Sequence, residues 1–372
     1  MRQLHRQAFV IPGAKAFGHY TVVCCEDCGF VYADDIPPQP VQDDYYESSG
    51  RHLHAAKVPA GLAEAHKAFF DFITAHLPRL AKEAAILDIG SSMGHFLNLF
   101  RQSGHRNLLG LEPSAAASEL AKETYDIEVV PAALEDFQPG KRFSLISMCG
   151  VLEHLVALDE ALGRMDGLLA QDGHVFIAVP DAGSFGAQPP REPFLEFALE
   201  HINFFTGDSL DNLFGKHGLK RVAAVSQWND FYANRYLLVL YARGEKRQWI
   251  TDPQGAESVA RYVRLSQEVL SSVAQKIAVL ADSGVPLIVW GAGSLAQRLC
   301  ATTRLPECNL LAFVDSNVQL LGSKMLDIPI HAPGWIDGHR DASILVASYV
   351  YGKEIRDRLS ADFDWKAPII LI

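Results

Sequence analysis

A glycine-rich turn follows an apolar run at residues 85–89 and opens a helix. Its polar and glycine positions are Asp88, Gly90, Ser92 and Gly94. Glycine at a strand-to-helix turn lets a ligand press against the backbone, because a side chain would block the approach. The next apolar run ends at Glu112, about 20 residues on, where a carboxylate can accept both hydroxyls of a ribose. The pattern predicts a nucleotide-type cofactor site at the carboxyl ends of two parallel strands.

Histidine and glutamate residues follow two later strands of the same region. His154 stands after the fourth predicted strand, and Glu200 and His201 stand after the fifth. A Glu-His pair at the carboxyl ends of such strands could supply a histidine held in position to act as a base and a carboxylate that binds a substrate hydroxyl. On the residues alone an alternative stays open, in which His201 caps or packs the following helix and Glu200 is solvated.

In the segments that would position these residues, the spacing of apolar residues alternates between a helix-like and a strand-like pattern. Apolar residues at three- and four-residue steps predict an amphipathic helix over residues 62–80. Short apolar runs separated by helix-like stretches follow, at residues 85–89, 107–111, 127–130, 143–148 and 174–179. This alternation predicts an α/β fold with a parallel, doubly wound sheet. A charged, turn-rich run at residues 243–255 predicts a linker, and a long helix and a second, smaller α/β unit follow it.

The second unit carries its own glycine turn. Gly291 and Gly293 follow an apolar strand, and Asp315 stands about 20 residues further on, as in a dinucleotide-binding fingerprint. Helix N-termini at such turns favour phosphate anions, whichever molecule carries them. Three interpretations stay open: a site for the nucleotide part of a substrate, a purely structural unit, and a site for NAD.

Three cysteines lie close together near the N-terminus. Cys25 and Cys28 have the spacing at which two thiolates coordinate one zinc ion. Gly29, directly after them, allows the chain to turn without steric strain. Structural zinc takes four protein ligands, so His5 or His19 would have to complete the set. The alternatives are a metal-free, degenerate module and a redox Cys-x-x-Cys pair.

Composition limits the classes of partner. The 372 residues include 33 Lys and Arg against 44 Asp and Glu, a formal net charge of −11. This balance argues against a nucleic acid or an anionic membrane as partner. We find no apolar stretch of spanning length and no signal-peptide core, so the expected compartment is the cytoplasm. Six cysteines in a chain this long do not resemble a disulfide framework.

The order of glycine turn, ribose acid, third-strand acid and Leu-Glu-His after the fourth strand resembles the class I S-adenosylmethionine-dependent methyltransferases. The resemblance implies S-adenosylmethionine as cofactor, with Ser92 where a middle glycine is common. It implies Gly90 and Gly94 for backbone approach, Asp88 at the cofactor's ammonium side, Glu112 at the ribose and Glu135 or Asp136 near adenine. For Asp136 the alternative is an ordinary helix cap. The competing class is a dinucleotide-binding Rossmann unit.

Three features together look like the sugar C-methyltransferases of deoxysugar biosynthesis. They are the Glu-His run, the N-terminal Cys-x-x-Cys-Gly with an Asp-Tyr-Tyr segment, and the C-terminal Gly-Ala-Gly turn. The resemblance implies an N-terminal zinc module (1–55), a methyltransferase domain (56–245) and a C-terminal Rossmann-like domain (246–372). It implies a nucleotide-linked 4-keto-deoxysugar as substrate, with roles for these residues: His201 as base, Glu200 holding the sugar, His154 facing it, and Tyr45 and Tyr46 closing over it.

The chain departs from that family in two places. The family usually reads Tyr-His-Glu-His where this chain has Ala198 and Leu199 before Glu200, so an aromatic hydroxyl is missing unless Tyr45 or Tyr46 supplies it. The zinc module should hold two Cys pairs and only Cys25 and Cys28 are present. Competing functions are an O- or N-methyltransferase of a sugar or secondary metabolite and a non-catalytic nucleotide-binding protein. The sequence specifies neither the sugar, nor its nucleotide, nor the oligomeric state.

Overall fold

The computed structural model describes residues 1–12, 17–36, 58–349 and 351–372. Within these residues seventeen strands form three sheets. The strands are β1 (Arg2–Val10), β2 (Phe17–Cys24), β3 (Val31–Asp34), β4 (Ile86–Ile89), β5 (Leu108–Leu111), β6 (Val129–Val130), β7 (Phe143–Cys149), β8 (Leu169–Pro180), β9 (Asn203–Phe204), β10 (Leu219–Asn229), β11 (Asn234–Arg243), β12 (Leu287–Trp290), β13 (Leu310–Val314), β14 (Lys324–Met325), β15 (Ile328–His331), β16 (Ser343–Val346) and β17 (Ile369–Leu371).

The helices connect and cover these sheets. They are α1 (Ala60–His76), α2 (His95–Gln102), α3 (Ala115–Tyr125), α4 (Leu158–Leu168), α5 (Gly207–Lys216), α6 (Gln254–Ser283), α7 (Ser294–Thr302) and α8 (Gly352–Ala361). Short 3-10 helices span Leu134–Asp136, Leu152–His154, Ala182–Ala187, Leu305–Glu307 and Pro333–Gly338. None of the helices in the described ranges has the length and apolar character needed to cross a bilayer.

The central sheet has seven strands in the order β10-β11-β8-β7-β4-β5-β6. Strands β4 to β8 pair in parallel, and β11 joins β8 antiparallel, as the end of a hairpin with β10. All four residues of β4 are buried, as expected for a strand covered on both faces. The α/β class and its five parallel strands are confirmed, whereas the β10–β11 hairpin was not predicted. From β4 the strands are added outward on one side as β5 and β6 and on the other side as β7 and β8. The boundary between β4 and β7 is therefore the topological switch point, where folds of this type bind ligands.

The N-terminal segment contributes three strands to a core that later segments of the chain complete. Strands β1, β2 and β3 form an antiparallel sheet, and β3 continues it by pairing with β9 of the later chain. The residues facing inward from β1 and β2, including Phe9, Tyr20 and Val22, are fully buried. They pack against several aromatic and aliphatic side chains from residues 194–204 and against α6. This packing positions the N-terminal sheet against the chain segment that carries Glu200 and His201.

The C-terminal sheet has the order β14-β15-β13-β12-β16-β17 and is parallel except for β14. The expected linker at residues 243–255 is not a free connection. Asp252 is 2% exposed, its backbone N–H donates to the Cys28 carbonyl (2.9 Å), and its carboxylate accepts from Thr206 Oγ1 (2.5 Å). The long helix α6 then contributes Val259 to the N-terminal core and Ile277 to the C-terminal core.

Candidate active site

The first glycine turn lies directly after β4, at the switch point of the central sheet. Gly90 has φ 74° and donates its backbone N–H to the Leu111 carbonyl at 2.8 Å. A Cβ on Gly90 would lie 2.3 Å from Cγ2 of Val151, so packing and backbone conformation both require glycine there. Ser92 and Gly94 also adopt positive φ, 47° and 72°, and Gly94 is the N-cap of α2. The turn therefore presents backbone rather than side chains.

Two buried acids line this turn. Glu112 is 1% exposed, and its two oxygens accept the backbone N–H groups of Ser92 and Ser114, each at 3.1 Å. Asp88 is 2% exposed, and its Oδ1 accepts a hydrogen bond from the Ser147 hydroxyl at 2.6 Å. Burial raises the pKa of Asp88 to about 7, with a further upward effect from Glu112. Burial also raises the pKa of Glu112, against the lowering effect of its two N–H donors.

The two histidines predicted from separate motifs meet beside this sheet edge. The rings of His154 and His201 are 5.0 Å apart between centroids. Nδ1 of His154 lies 2.8 Å from the Glu200 carbonyl, and Nδ1 of His201 lies 3.2 Å from the Glu196 carbonyl. A carbonyl oxygen can only accept, so both rings carry hydrogen at Nδ1 and the proton-accepting atom of each neutral ring is Nε2. This arrangement suits a general base.

A third ionisable residue, Glu153, belongs to the same cluster, and sequence analysis did not name it as a site residue. Its ligand oxygen and the ring nitrogens of His154 and His201 all lie within 4.8 Å of one another. Glu153 is 2% exposed, its Oε2 has no hydrogen-bond partner among the described residues, and burial raises its pKa. Its position next to His154 in the Leu-Glu-His run was the available signal.

The cluster is held together by backbone contacts between distant segments. The Ile202 N–H donates to the Glu153 carbonyl (3.0 Å), and Nδ2 of Asn203 donates to the Leu155 carbonyl (2.8 Å). The N–H of Ala33, at β3, donates to the Ile202 carbonyl (2.8 Å). The following helix α5 is capped by the Thr206 side chain, so the alternative that His201 caps that helix is wrong.

The remaining predicted residues of the central region lie further out. Glu135 and Asp136 are exposed in the 3-10 helix after β6, and Asp136 is not a cap because the N-cap position is Ala133. Tyr45 and Tyr46 lie outside the described residues. Leu199 is 1% exposed and packs in the N-terminal core, where the resembled family has a polar residue. A surface cleft of about 570 Å³ is lined by residues 137–142 and by part of α4, and none of the predicted site residues lines it.

The cysteine pair lies in the turn between β2 and β3. Backbone N–H groups of Cys28 and Asp27 lower the pKa of the Cys25 thiol, whereas burial raises that of Cys28. Neither proposed histidine completes a zinc site: His5 stacks on Phe194 at 4.4 Å, and His19 pairs with Ala8 at the far end of β2. In the described ranges, the only group of three metal-type ligands is Glu153, His154 and His201.

The second glycine turn, after β12, has a hydrogen-bond pattern similar to that of the first. Gly291 donates its N–H to the Val314 carbonyl at 2.8 Å, and Ala292 donates to Oδ2 of Asp315 at 2.7 Å. A Cβ on Gly291, where φ is 110°, would lie 2.7 Å from the Ala347 carbonyl oxygen, whereas one on Gly293 would meet nothing within 4 Å. The turn therefore has the backbone form of a nucleotide site, and only Gly291 is fixed as glycine by packing.

The first turn fits a cationic cofactor. Asp88 and Glu112 are two buried carboxyl groups, and no Lys or Arg in the described part of the chain forms an ion pair with either. A buried acid without a counter-ion is costly, and a bound cation relieves that cost. S-adenosylmethionine carries both a sulfonium and an ammonium group, so the residues present suit it.

Comparisons with known proteins agree with this reading of the central region. Residues 62–224 match the family described as a methyltransferase domain, and residues 285–364 match the family described as C2185-like, N-terminal. A search of curated proteins found no match.

Several solved structures are similar in fold. The 1,6-didemethyltoxoflavin-N1-methyltransferase of Burkholderia thailandensis is 19% identical over 59% of this chain and 98% of its own, with a TM-score of 0.44. The N-methyltransferase NodS of Bradyrhizobium japonicum is 17% identical over 55% and 98%, with a TM-score of 0.42. Magnesium protoporphyrin IX methyltransferase of Synechocystis is 12% identical over 55% and 96%, with a TM-score of 0.41.

The central region has a class I methyltransferase fold. This class is defined by the matched family, by the order of the seven strands and by the glycine turn that is hydrogen-bonded to Glu112. The protein is an S-adenosylmethionine-dependent methyltransferase.

Proposed function

We propose that the protein transfers a methyl group from S-adenosylmethionine to carbon of a nucleotide-linked 4-keto-deoxysugar. The observation that carries the proposal is the meeting of His154 and His201 beside the glycine turn, with Nε2 of each ring as proton acceptor. A ketone acidifies the neighbouring C–H, so a histidine near neutral pH can remove that proton. The sugar C-methyltransferase resemblance supplies the substrate class.

Each residue of the site then has a proposed task. The backbone at Gly90, Ser92 and Gly94 and the carboxylates of Asp88 and Glu112 bind the cofactor, with Glu135 or Asp136 near adenine. S-adenosylmethionine supplies an electrophilic methyl group. His201 takes the proton from the acceptor at Nε2, and its Nδ1–H bond to the Glu196 carbonyl holds the ring in the required tautomer. His154 faces the same acceptor, Glu200 holds a sugar hydroxyl, and Tyr45 and Tyr46 close over it.

The three-part division of the chain belongs to this proposal. Residues 1–55 and 246–372 flank the catalytic region 56–245, and the second glycine turn with Asp315 holds the nucleotide part of the acceptor. The contact of β3 with β9 supports a role for the N-terminal part in positioning the acceptor, since β9 directly follows His201 and Ile202.

The test uses nucleotide-linked 4-ketosugars incubated with the protein and trideuteriomethyl-labelled S-adenosylmethionine. Mass spectrometry is expected to find the label on the sugar fragment. The same sugars in D₂O with S-adenosylhomocysteine, which blocks transfer, are expected to exchange the acidic C–H for deuterium. Label on the sugar without exchange would replace carbon methylation by O- or N-methylation. Cofactor binding with no label on any acceptor would favour a non-catalytic nucleotide-binding protein.

A further inference from the structure

The cluster of Glu153, His154 and His201 has the composition of a metal site. Its three ligand atoms lie within 4.8 Å of one another, so small side-chain rotations bring them onto one ion. We propose that these residues bind a divalent transition-metal ion of the zinc type, and that the bound ion and the acceptor exclude each other.

The hydrogen bonds of the two histidines prepare them as ligands. A metal-binding histidine usually donates its other ring N–H to a carbonyl or carboxylate, which fixes the tautomer and aims the ring. His154 and His201 both make this bond through Nδ1, to the Glu200 and Glu196 carbonyls. In this tautomer Nε2 is the atom through which each ring would coordinate zinc.

The carboxylate provides a second, independent observation. Within the part of the chain that the structure describes, Oε2 of Glu153 is buried without a hydrogen-bond partner, in a residue that is 2% exposed. A buried carboxylate oxygen without a donor is costly, and a cation satisfies it. Its backbone is fixed by the 3.0 Å bond from the Ile202 N–H, so the chain holds the carboxylate beside the two rings. Two imidazoles and one carboxylate suit zinc, cobalt and iron more than magnesium or calcium.

An ion bound at this site would affect the proposed reaction. His201 is the proposed base, and a metal on its Nε2 removes the lone pair that would accept the proton. We therefore expect Zn²⁺ to inhibit methyl transfer competitively with the acceptor and without changing the affinity for S-adenosylmethionine. This inhibitory part rests on the proposed function, whereas metal binding itself does not.

The experiment titrates untagged full-length protein with Co²⁺ and Zn²⁺ in the absence of cofactor and acceptor. A Cys25→Ser/Cys28→Ser background removes the thiolates that could compete for metal. In this background we expect visible d–d bands of Co²⁺ without a thiolate charge-transfer band. Glu153→Gln is expected to weaken Co²⁺ binding at least about 100-fold, because loss of a ligand exceeds the 10- to 100-fold effect of an outer-shell change. His154→Ala provides a second variant if Glu153→Gln does not fold.

Glu196→Gln is the matched control. Its side chain is also a buried glutamate, 6% exposed, and its backbone carbonyl, which accepts the hydrogen bond from His201, is retained in the variant. Co²⁺ affinity is expected to stay within about threefold. Co²⁺ bands that vanish with the cysteine changes, or that survive both Glu153→Gln and His154→Ala in folded protein, would overturn the proposal. Because the readout is spectroscopic, a failure to methylate any sugar leaves this test intact.

Discussion

The two glycine turns of this protein make similar backbone hydrogen bonds but follow strands of different composition. In each turn the first glycine donates its N–H to the last carbonyl of the next strand at 2.8 Å, and the acid after that strand accepts a turn N–H. Two residues before the glycine the first turn has buried Asp88, whereas the second has Val289, which is fully buried in an apolar cluster. The fold therefore contains this kind of turn twice, and of the two turns only the first has a buried acid two residues before its first glycine.

The surroundings of the turns differ as well. Val151 packs against Gly90 and leads into Glu153 and His154, so the first turn adjoins ionisable groups. The helix after the second turn, α7, packs against β1, and its Arg298 is fully buried in an ion pair with Glu192 (3.2 Å). The ionisable groups described here thus adjoin the first turn, while the helix after the second turn is anchored to β1 and to Glu192.

The largest expected effect comes from the residues beside the first turn. His201→Asn should lower turnover at least about 100-fold, because a positioned general base contributes roughly 10²- to 10⁴-fold. Affinity for S-adenosylmethionine, measured by calorimetry, should not change. His339→Asn, in the domain of the second turn, serves as the control and should keep turnover within about twofold. Near-normal turnover in His201→Asn would move the base to another residue.

A stability measurement tests the acid that distinguishes the turns. The pKa of Asp88 rises from 3.8 to about 7 on folding, so the native state favours the protonated form and stability is lost as pH increases from about 4 through 7. Asp88→Asn keeps an acceptor for the Ser147 hydroxyl and removes this loss. Above pH 7 the variant should be more stable by on the order of 2–4 kcal/mol, from 1.36 kcal/mol per pKa unit.

Urea unfolding of both proteins at pH 4 and pH 8 measures this difference in the free energy of unfolding. At pH 4 the two proteins should agree closely. Equal stability at pH 8 would show that the Asp88 carboxylate is not destabilised by burial, and the distinction between the two turns would then lose its electrostatic basis.

Changes at Asp88 and at Asp315 should have different effects on the affinity for the cofactor. At pH 8, Asp88→Asn should weaken S-adenosylmethionine binding about 30-fold, since removing one partner of a buried charged pair costs about 2 kcal/mol or more. Asp315→Asn, the matched change at the second turn, should leave that affinity unchanged. A loss of cofactor affinity in Asp315→Asn would mean that the second turn, and not only the first, contributes to the cofactor site.

The smallest effect tests whether the second turn holds the nucleotide part of the acceptor. Gly293 has φ −78°, and a Cβ there meets no atom within 4 Å, so Gly293→Ala should keep the melting temperature. If a phosphate presses on this backbone, the added methyl group should raise the KM for the acceptor about tenfold with kcat unchanged. An unchanged KM would favour the purely structural interpretation of this domain.

Local patterns predicted most of the central sheet and its turn. Alternating apolar runs predicted β4, β5 and β7 to within one or two residues. The sequence assigned Glu112 to a ribose, whereas its hydrogen bonds to the Ser92 and Ser114 N–H groups were not predicted. The N-terminal sheet was missed because β3 is completed by β9, a two-residue strand about 170 positions later in the chain. No local period could indicate that pairing.

Local patterns in the sequence predict the class of fold, the candidate cofactor turn and the candidate histidines, because each depends on residues within about one βα unit. Packing between distant segments is what brings His154 and His201, 47 positions apart in the chain, into one cluster with buried Glu153. It also decided which ring nitrogen accepts a proton, since that depends on the carbonyls of Glu196 and Glu200. Burial and hydrogen-bond direction arise from packing between distant segments, and no spacing within one segment specifies them.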